Sequence, residues 1–233
     1  TPACYVKDTI NGTEVVLTEG TDYQLEYSNN TNVTTSAKVT MTGIGNYTGT
    51  VSKTFTITSA SLFGNITQDG TLTYNGTEQE PKLINTISGV GGATVIVTYC
   101  KTQTGNYSST IPQYTDAGTY TLYYKATSPN HNDLTGQLII IVQNGVVTMP
   151  TYTSLFEYDG TVKNTGLANT TNYTISGTSS ATNANGYEVT LTLKNTNLVW
   201  SDGSSEPKIL GWQISPRKLS SAEITATITQ TCT

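Results

Sequence analysis

The stretch "NGYEVTLTLKN" at residues 185–195 decides the fold class. Val189, Leu191 and Leu193 alternate with Glu188, Thr190, Thr192 and Lys194. A period of two makes a strand with one buried face and one wet face. Two other stretches echo it, "AGTYTLYYKAT" at 117–127 and "GNYTGTVSKTFTI" at 45–57. Each places Gly shortly before Tyr at the head of an alternating run. Tyr47, Tyr120 and Tyr187 are therefore expected near the start of a late strand, each fixing a sandwich corner through its hydroxyl.

Composition points the same way. Charged residues are 12 % of the chain, against roughly 25 % in ordinary soluble domains, and Thr and Tyr dominate in their place. Such residues fit pleated, half-buried surfaces, and no segment carries a 3.6-residue apolar period. The reading is all-β. A net charge of −5 leaves no basic face to displace counterions, which excludes a nucleic-acid role. The longest apolar run, Leu138 to Val142, is strand-sized and far short of the roughly 18 residues that cross a bilayer. With no signal peptide and no initiator Met, the chain reads as a mature or excised segment.

An opening phrase also recurs: "LTYNGTEQEPKL" at 72–83 and "FEYDGTVKN" at 156–164. Tyr-Asn/Asp-Gly-Thr is a tight turn in which the Gly supplies a positive φ. The recurring phrases divide the chain into 1–57, 58–143, 144–216 and a tail at 217–233. The first stretch has a closing phrase and no opening one. In the tail, Ala222, Ile224, Ala226 and Ile228 alternate with Glu223, Thr225, Thr227 and Thr229. The ends look complementary, so the tail is expected to supply the first strand of a stretch like 1–57. The recipient is in the same chain, in the next subunit or in a further repeat. An incomplete sheet edge favours such capture.

The phrases "LTEGTDYQLEYSNNTN" (17–32), "VTMTGIGNYTGTVSKTFTI" (39–57), "YNGTEQEP" (74–81), "DAGTYTLYYKATSPNHND" (116–133) and "LVWSDGSSEPKILGWQI" (198–214) together cover most of the chain. In them the sequence resembles the tandem immunoglobulin-like repeats of bacterial cell-surface proteins, often called MBG-type. The resemblance implies small Ig-like β-sandwiches used as a stalk or adhesive module, without catalysis. The chain departs from that pattern in having three cysteines and in lacking a first strand ahead of residues 1–57.

Catalytic chemistry finds little footing. The single histidine, His131, lies in the turn-like "SPNHND", and no GxSxG elbow is present. "NHND" (130–133) and "SDGSSE" (201–206) are incomplete as calcium loops. Without CxxC there is no zinc pattern, and no cofactor is implied. Trp200 and Trp212 read as core residues, with a sugar-stacking platform as the alternative. Cys4 and Cys232 lie near opposite chain ends and are the candidates for a disulfide across a junction between units. Cys100 reads as a small buried hydrophobe. Nine N-x-S/T sequons, at Asn11, Asn29, Asn32, Asn46, Asn65, Asn75, Asn106, Asn169 and Asn172, are glycosylation candidates in a chain that makes them readily by composition.

The expectation is an extracellular, cell-surface structural protein that is not an enzyme, a fibre or stalk whose partners are copies of itself or adjacent repeats. The runner-up is an adhesin segment that binds a glycan or protein. A carbohydrate-active accessory module comes third.

Overall fold

The structure, a computed structural model, describes residues 3–220. The expected tail strand Ala222–Ile228 and Cys232 lie outside the described residues. Among the described residues there is no helix. One compact unit takes residues up to 69 with 81–112 and 121–140; the other takes 70–80, 113–120 and 141 onward.

In the first stretch β1 (Lys7–Ile10) and β2 (Thr13–Val16) form a hairpin. Next come β3 (Tyr23–Ser28), β4 (Thr34–Gly43) and β5 (Thr50–Ile57), an antiparallel meander in which β5 pairs only with β4 among the described residues. Tyr23 and Ala37 turn inward.

The second stretch contains β6 (Ala60–Phe63), β7 (Ile66–Gln68), β8 (Leu72–Thr73), β9 (Leu83–Asn85) and β10 (Ser88–Gly89). After them come β11 (Ile96–Cys100), β12 (Gly118–Thr127), β13 (His131–Asn132) and β14 (Leu134–Gln143). Its main sheet runs β11-β12-β14-β8, and β8 lies parallel to the end of β14. Leu122, Tyr124 and Ala126 on β12 and Leu138, Ile140 and Val142 on β14 are buried at alternate positions. The division into two compact units falls within β12, after Tyr120, and within β14, after Ile140.

The third stretch holds β15 (Gly145–Val147), β16 (Leu155–Glu157), β17 (Lys163–Asn164), β18 (Tyr173–Gly177), β19 (Ser180–Ala181), β20 (Asn185–Leu193), β21 (Leu198–Trp200) and β22 (Lys208–Ser215). Its sheet repeats the order, β18-β20-β22-β16, again with the short early strand parallel to the last one. A late hairpin flanked by an earlier antiparallel strand, with the first strand beside the last, is the order of an immunoglobulin-type sandwich sheet. The alternation read in "NGYEVTLTLKN" is real: Val189 and Leu191 are fully buried and pack with Trp200, Trp212, Tyr173 and Ile214. Each large side chain so buried stabilises by about 1.5–3 kcal/mol over the exposed state.

The opening phrases make one turn twice. The Asn75 Oδ1 accepts the Thr77 N–H at 2.9 Å and hydroxyl at 2.8 Å. The Asp159 Oδ1 accepts the Thr161 N–H at 2.9 Å and hydroxyl at 2.6 Å. Gly76 and Gly160 follow at φ +81° and +82°, the left-handed region that glycine enters without strain.

The first closing phrase differs from the other two. Residues 117–127 and 185–195 lie on β12 and β20, whereas 45–57 is the turn after β4 followed by β5. The Tyr120 hydroxyl donates to the Asp116 carbonyl and that of Tyr187 to the Asn183 carbonyl, both at 2.8 Å. Tyr47 sits in the β4–β5 turn, where its hydroxyl faces Asp8, and closes no such corner. The Gly-then-Tyr spacing had matched a turn to a strand start.

Candidate functional site

Among the described residues no cleft gathers catalytic groups, and the most organised polar geometry lies where one stretch meets the next. The turn between β12 and β14 is closed by the His131 N–H on the Ser128 carbonyl at 3.2 Å, with Asn130 at its third position. All the polar groups of that asparagine's carbonyl and side chain are used. Its Oδ1 accepts the Val33 N–H at 2.9 Å, its Nδ2 donates to the Asn32 Oδ1 at 3.0 Å, and its carbonyl accepts the Ala60 N–H at 3.0 Å. Immediately beyond it, His131 pairs with Ala60 as β13 runs parallel to the linker strand β6.

The turn after β20 repeats this arrangement. The Leu198 N–H meets the Asn195 carbonyl at 3.4 Å and Asn197 is third. The Asn197 Oδ1 accepts the Ala117 N–H at 2.9 Å, its Nδ2 donates to the Asp116 Oδ1 at 2.8 Å, and its carbonyl accepts the Gly145 N–H at 2.9 Å. Leu198 then pairs with Gly145 as β21 runs parallel to β15. Gly145 is needed there, since a Cβ would stand 2.9 Å from the Tyr74 carbonyl oxygen and 3.0 Å from Leu198. An asparagine amide suits this work because one end of it carries both a donor and an acceptor. Sequence reasoning missed both joints. Their only trace is that Thr31-Asn32-Val33 and Thr115-Asp116-Ala117 stand directly before β4 and β12.

The free edge of β5 is a second feature. Its counterparts β14 and β22 each carry a short parallel strand, and β5 carries none among the described residues. Beside it Leu25, Val39, Met41 and Val51, with Cys4 and Tyr5, line a groove of about 330 Å³. The Cys4 Sγ lies 3.4 Å from the Tyr27 hydroxyl. That contact, reinforced by burial, pushes the Tyr27 phenol up to about 12.

The remaining candidates disperse. Cys4 and Cys100 are free thiols. Cys100 is half-buried at the end of β11, so it is not the enclosed hydrophobe expected. Hydrogen bonding from the Thr102 N–H, then from its hydroxyl, lowers the thiol pKa. All nine sequon asparagines are exposed. The His131 Nδ1 lies 2.8 Å from the Pro129 carbonyl, and its Nε2 is shut in without a partner beside Gly89. Among the described residues no three His, Cys, Asp or Glu side chains gather as metal ligands. Asp133 pairs with Lys125 at 2.7 Å and Asp202 with Lys208 at 2.5 Å. Lys208, then Ser204, holds the Asp202 carboxyl well below the usual carboxylate range, and Lys163 with Thr161 does the same for Asp159.

Trp200 and Trp212 are 0 % and 3 % exposed, and their indole N–H groups donate to the Glu206 and Thr178 carbonyls at 2.9 and 2.6 Å. Neither ring offers a face to a sugar. An open trough of about 840 Å³ does cross the outer face of the third-stretch sheet, between Gly186, Glu188, Gly211 and Gln213.

No family model and no curated protein matches the chain. Among solved structures it is similar to a three-Ig fragment of titin, domains I67–I69 in a Glu-to-Ala variant. Identity is 10 %, coverage 87 % of this chain and 85 % of that one, and the TM-score 0.31. It is also similar to the N-terminal eight Ig domains of Down Syndrome Cell Adhesion Molecule. There identity is 12 %, coverage 91 % of this chain and 32 % of that one, and the TM-score 0.26. At such scores the likeness bears on no detail of geometry or function.

Proposed function

We propose that this chain is an extracellular structural element of a fibre or stalk. It is built from in-line Ig-like domains at 1–57, 58–143 and 144–216, like the surface repeats of bacteria that its sequence resembles. Residues 217–233 supply a strand to a following domain. The observation that carries this reading is the edge of β5, which has no strand partner among the described residues beyond β4, set against the parallel strands on β14 and β22. Spacing supports it. The linker contact at Ala60 precedes the parallel strand at Leu72 by twelve residues, and that at Gly145 precedes Leu155 by ten. Counted from Arg217 or Lys218, the same spacing reaches 227–230, the end of the alternating run. Cys4 in the groove beside β5 is where Cys232 of the incoming strand would bridge.

Sedimentation and electron microscopy of the full chain and of an I224D/I228D variant test this. Linear polymers of the native chain that the variant does not form are expected. Non-reducing mass analysis reads the Cys4–Cys232 bridge. A native chain that stays monomeric and binds a glycan or protein saturably, at the trough beside Gly211, makes it an adhesin segment instead.

A further inference from the structure

Among the described residues the asparagine turn occurs three times and is occupied twice. Between β4 and β5 the Tyr47 N–H meets the Ile44 carbonyl at 3.1 Å, and the third residue is Asn46. Asn46 lies three residues after β4 ends and four before β5 begins, as Asn130 does between β12 and β14. It is exposed, and its amide has no partner among the described residues. The two occupied turns differ in backbone, with φ +61° at Asn130 and no positive φ at Asn197. The asparagine's reach, not one turn type, makes the joint.

The receptor also occurs three times. Asn32-Val33, Asp116-Ala117 and Asn183-Ala184 each stand directly before β4, β12 and β20, each after a threonine. The first two hold Asn130 and Asn197. The third is exposed, and neither its side-chain amide nor the Ala184 N–H has a partner among the described residues. It is nonetheless set up like an occupied one. Tyr187 fixes the Asn183 carbonyl at 2.8 Å, as Tyr120 fixes that of Asp116.

We propose that Asn46 of one copy of this chain docks on Asn183 and Ala184 of another. Its Oδ1 accepts the Ala184 N–H, and its Nδ2 donates to the Asn183 side-chain oxygen. Copies then add to one another through a third instance of the joint that recurs within each chain. The partner is a second copy because, among the described residues, the chain carries one unfilled donor and one unfilled receptor of the same design. Donor and receptor are different surfaces, so the contact is heterologous and continues from copy to copy. The count from the end of the last strand completes the match. The linker donates its N–H three residues after Ile57 and two after Gln143, so Arg217 or Lys218 falls opposite the Asn46 carbonyl. Asn46 also heads a sequon, and a glycan would attach at Nδ2, the atom the joint uses.

This rests on the fibre reading, and its test separates the two. Self-association of the full chain is followed by sedimentation across concentration for the native protein, N46A, N183D and N46D/N183D. I224D/I228D serves as the strand control. N46A is expected to weaken association about tenfold or more, the loss of two hydrogen bonds. N183D is expected to retain it, since Asp116 already serves as receptor for Asn197. Adding N46D to N183D sets two carboxylates face to face and is expected to abolish association. The Asn46 and Asn183 side chains are exposed, and an unchanged amide spectrum of the dilute protein confirms folding. If the Asn46 variants associate like the native chain while I224D/I228D does not, the clasp is overturned and strand capture stands. A native chain that is monomeric at every concentration overturns both.

Discussion

Asn197 uses its two amide groups against different kinds of partner, a backbone N–H and a carboxylate, and a double-mutant cycle separates them. In N197A both side-chain bonds disappear, whereas in D116A only the bond from Nδ2 is lost. The bond between the Gly145 N–H and the Asn197 carbonyl is untouched by either change, so amide exchange at Gly145 reports how often the joint opens. A neutral hydrogen bond contributes a net of about 1 kcal/mol and one to a charged group about 1.5–3. The Asp116 bond is exposed, so we take its lower end. N197A is then expected to cost about 2.5 kcal/mol, exchange roughly seventyfold faster, and D116A about 1.5 kcal/mol, roughly tenfold faster. The double variant should match N197A alone, because the Asp116 carboxylate has then already lost its donor. The coupling therefore equals the whole D116A effect. The same cycle at the other joint, N130A with N32A read at the Ala60 N–H, is expected to give a smaller coupling since both partners are neutral. Additive effects of N197A and D116A, or a D116A chain with native exchange at Gly145, would refute the reasoning.

Four further outcomes follow from the packing and charge. L191A opens a cavity in the third-stretch core and should cost about 2–5 kcal/mol; both tryptophans of the chain lie in that core, so fluorescence-monitored urea unfolding reads it directly. G145A forces a Cβ against the Tyr74 carbonyl and should speed amide exchange at position 145 itself while leaving that at Leu191 unchanged. The Asp159 and Asp202 carboxyls titrate below their unfolded-state value, so their contribution is complete above about pH 4 and is lost as pH falls through the folded-state value. K163A and K208A should bring those titrations back toward the ordinary range, as carboxyl-carbon NMR would show. Finally, joints made of amides and backbone have little charge to screen. Exchange at Ala60 should be nearly the same in 50 mM and 1 M salt, with a measurable rise at Gly145 alone, where Asp116 takes part.

The long strands were legible because burial on one face writes itself as alternation. Val189 and Leu191 on β20 are the clearest case, and Leu122, Tyr124 and Ala126 on β12 follow it. The Asn75 and Asp159 turns were legible because an Asx residue before glycine has few other uses. The parallel strands β8 and β16, of two and three residues, are too short to show any period. The linker strands β6 and β15 fail for the same reason, although β15 buries Val147. Tyr47 was misplaced because glycine followed by tyrosine occurs both where a strand starts and where a turn ends. Cys100 was misread because "VIVTY" before it suggested enclosure, whereas Cys100 itself ends the strand and Thr102 in the following turn reaches its sulfur.

The joints were illegible for a different reason. An asparagine at the third place of a turn satisfies local backbone preference by itself, so Asn46, Asn130 and Asn197 look alike in sequence whether or not they hold anything. What distinguishes Asn130 and Asn197 is that a donor and an acceptor one residue apart stand opposite the amide. An aspartate there would match only the N–H, and a leucine neither. The chain's low charge fits this choice of bond. Where a surface has few ions, directional pairs that tell one neighbour from another must be built from amides, hydroxyls and backbone. Such pairs contribute little each and act through position, so two in-register bonds beside a short parallel strand select one arrangement without a large or apolar contact. The same logic makes Asn46 and Asn183 informative. An exposed amide is ordinary by itself, but Asn46 stands third in its turn as Asn130 and Asn197 do in theirs, and Tyr187 holds the Asn183 carbonyl as Tyr120 holds that of Asp116.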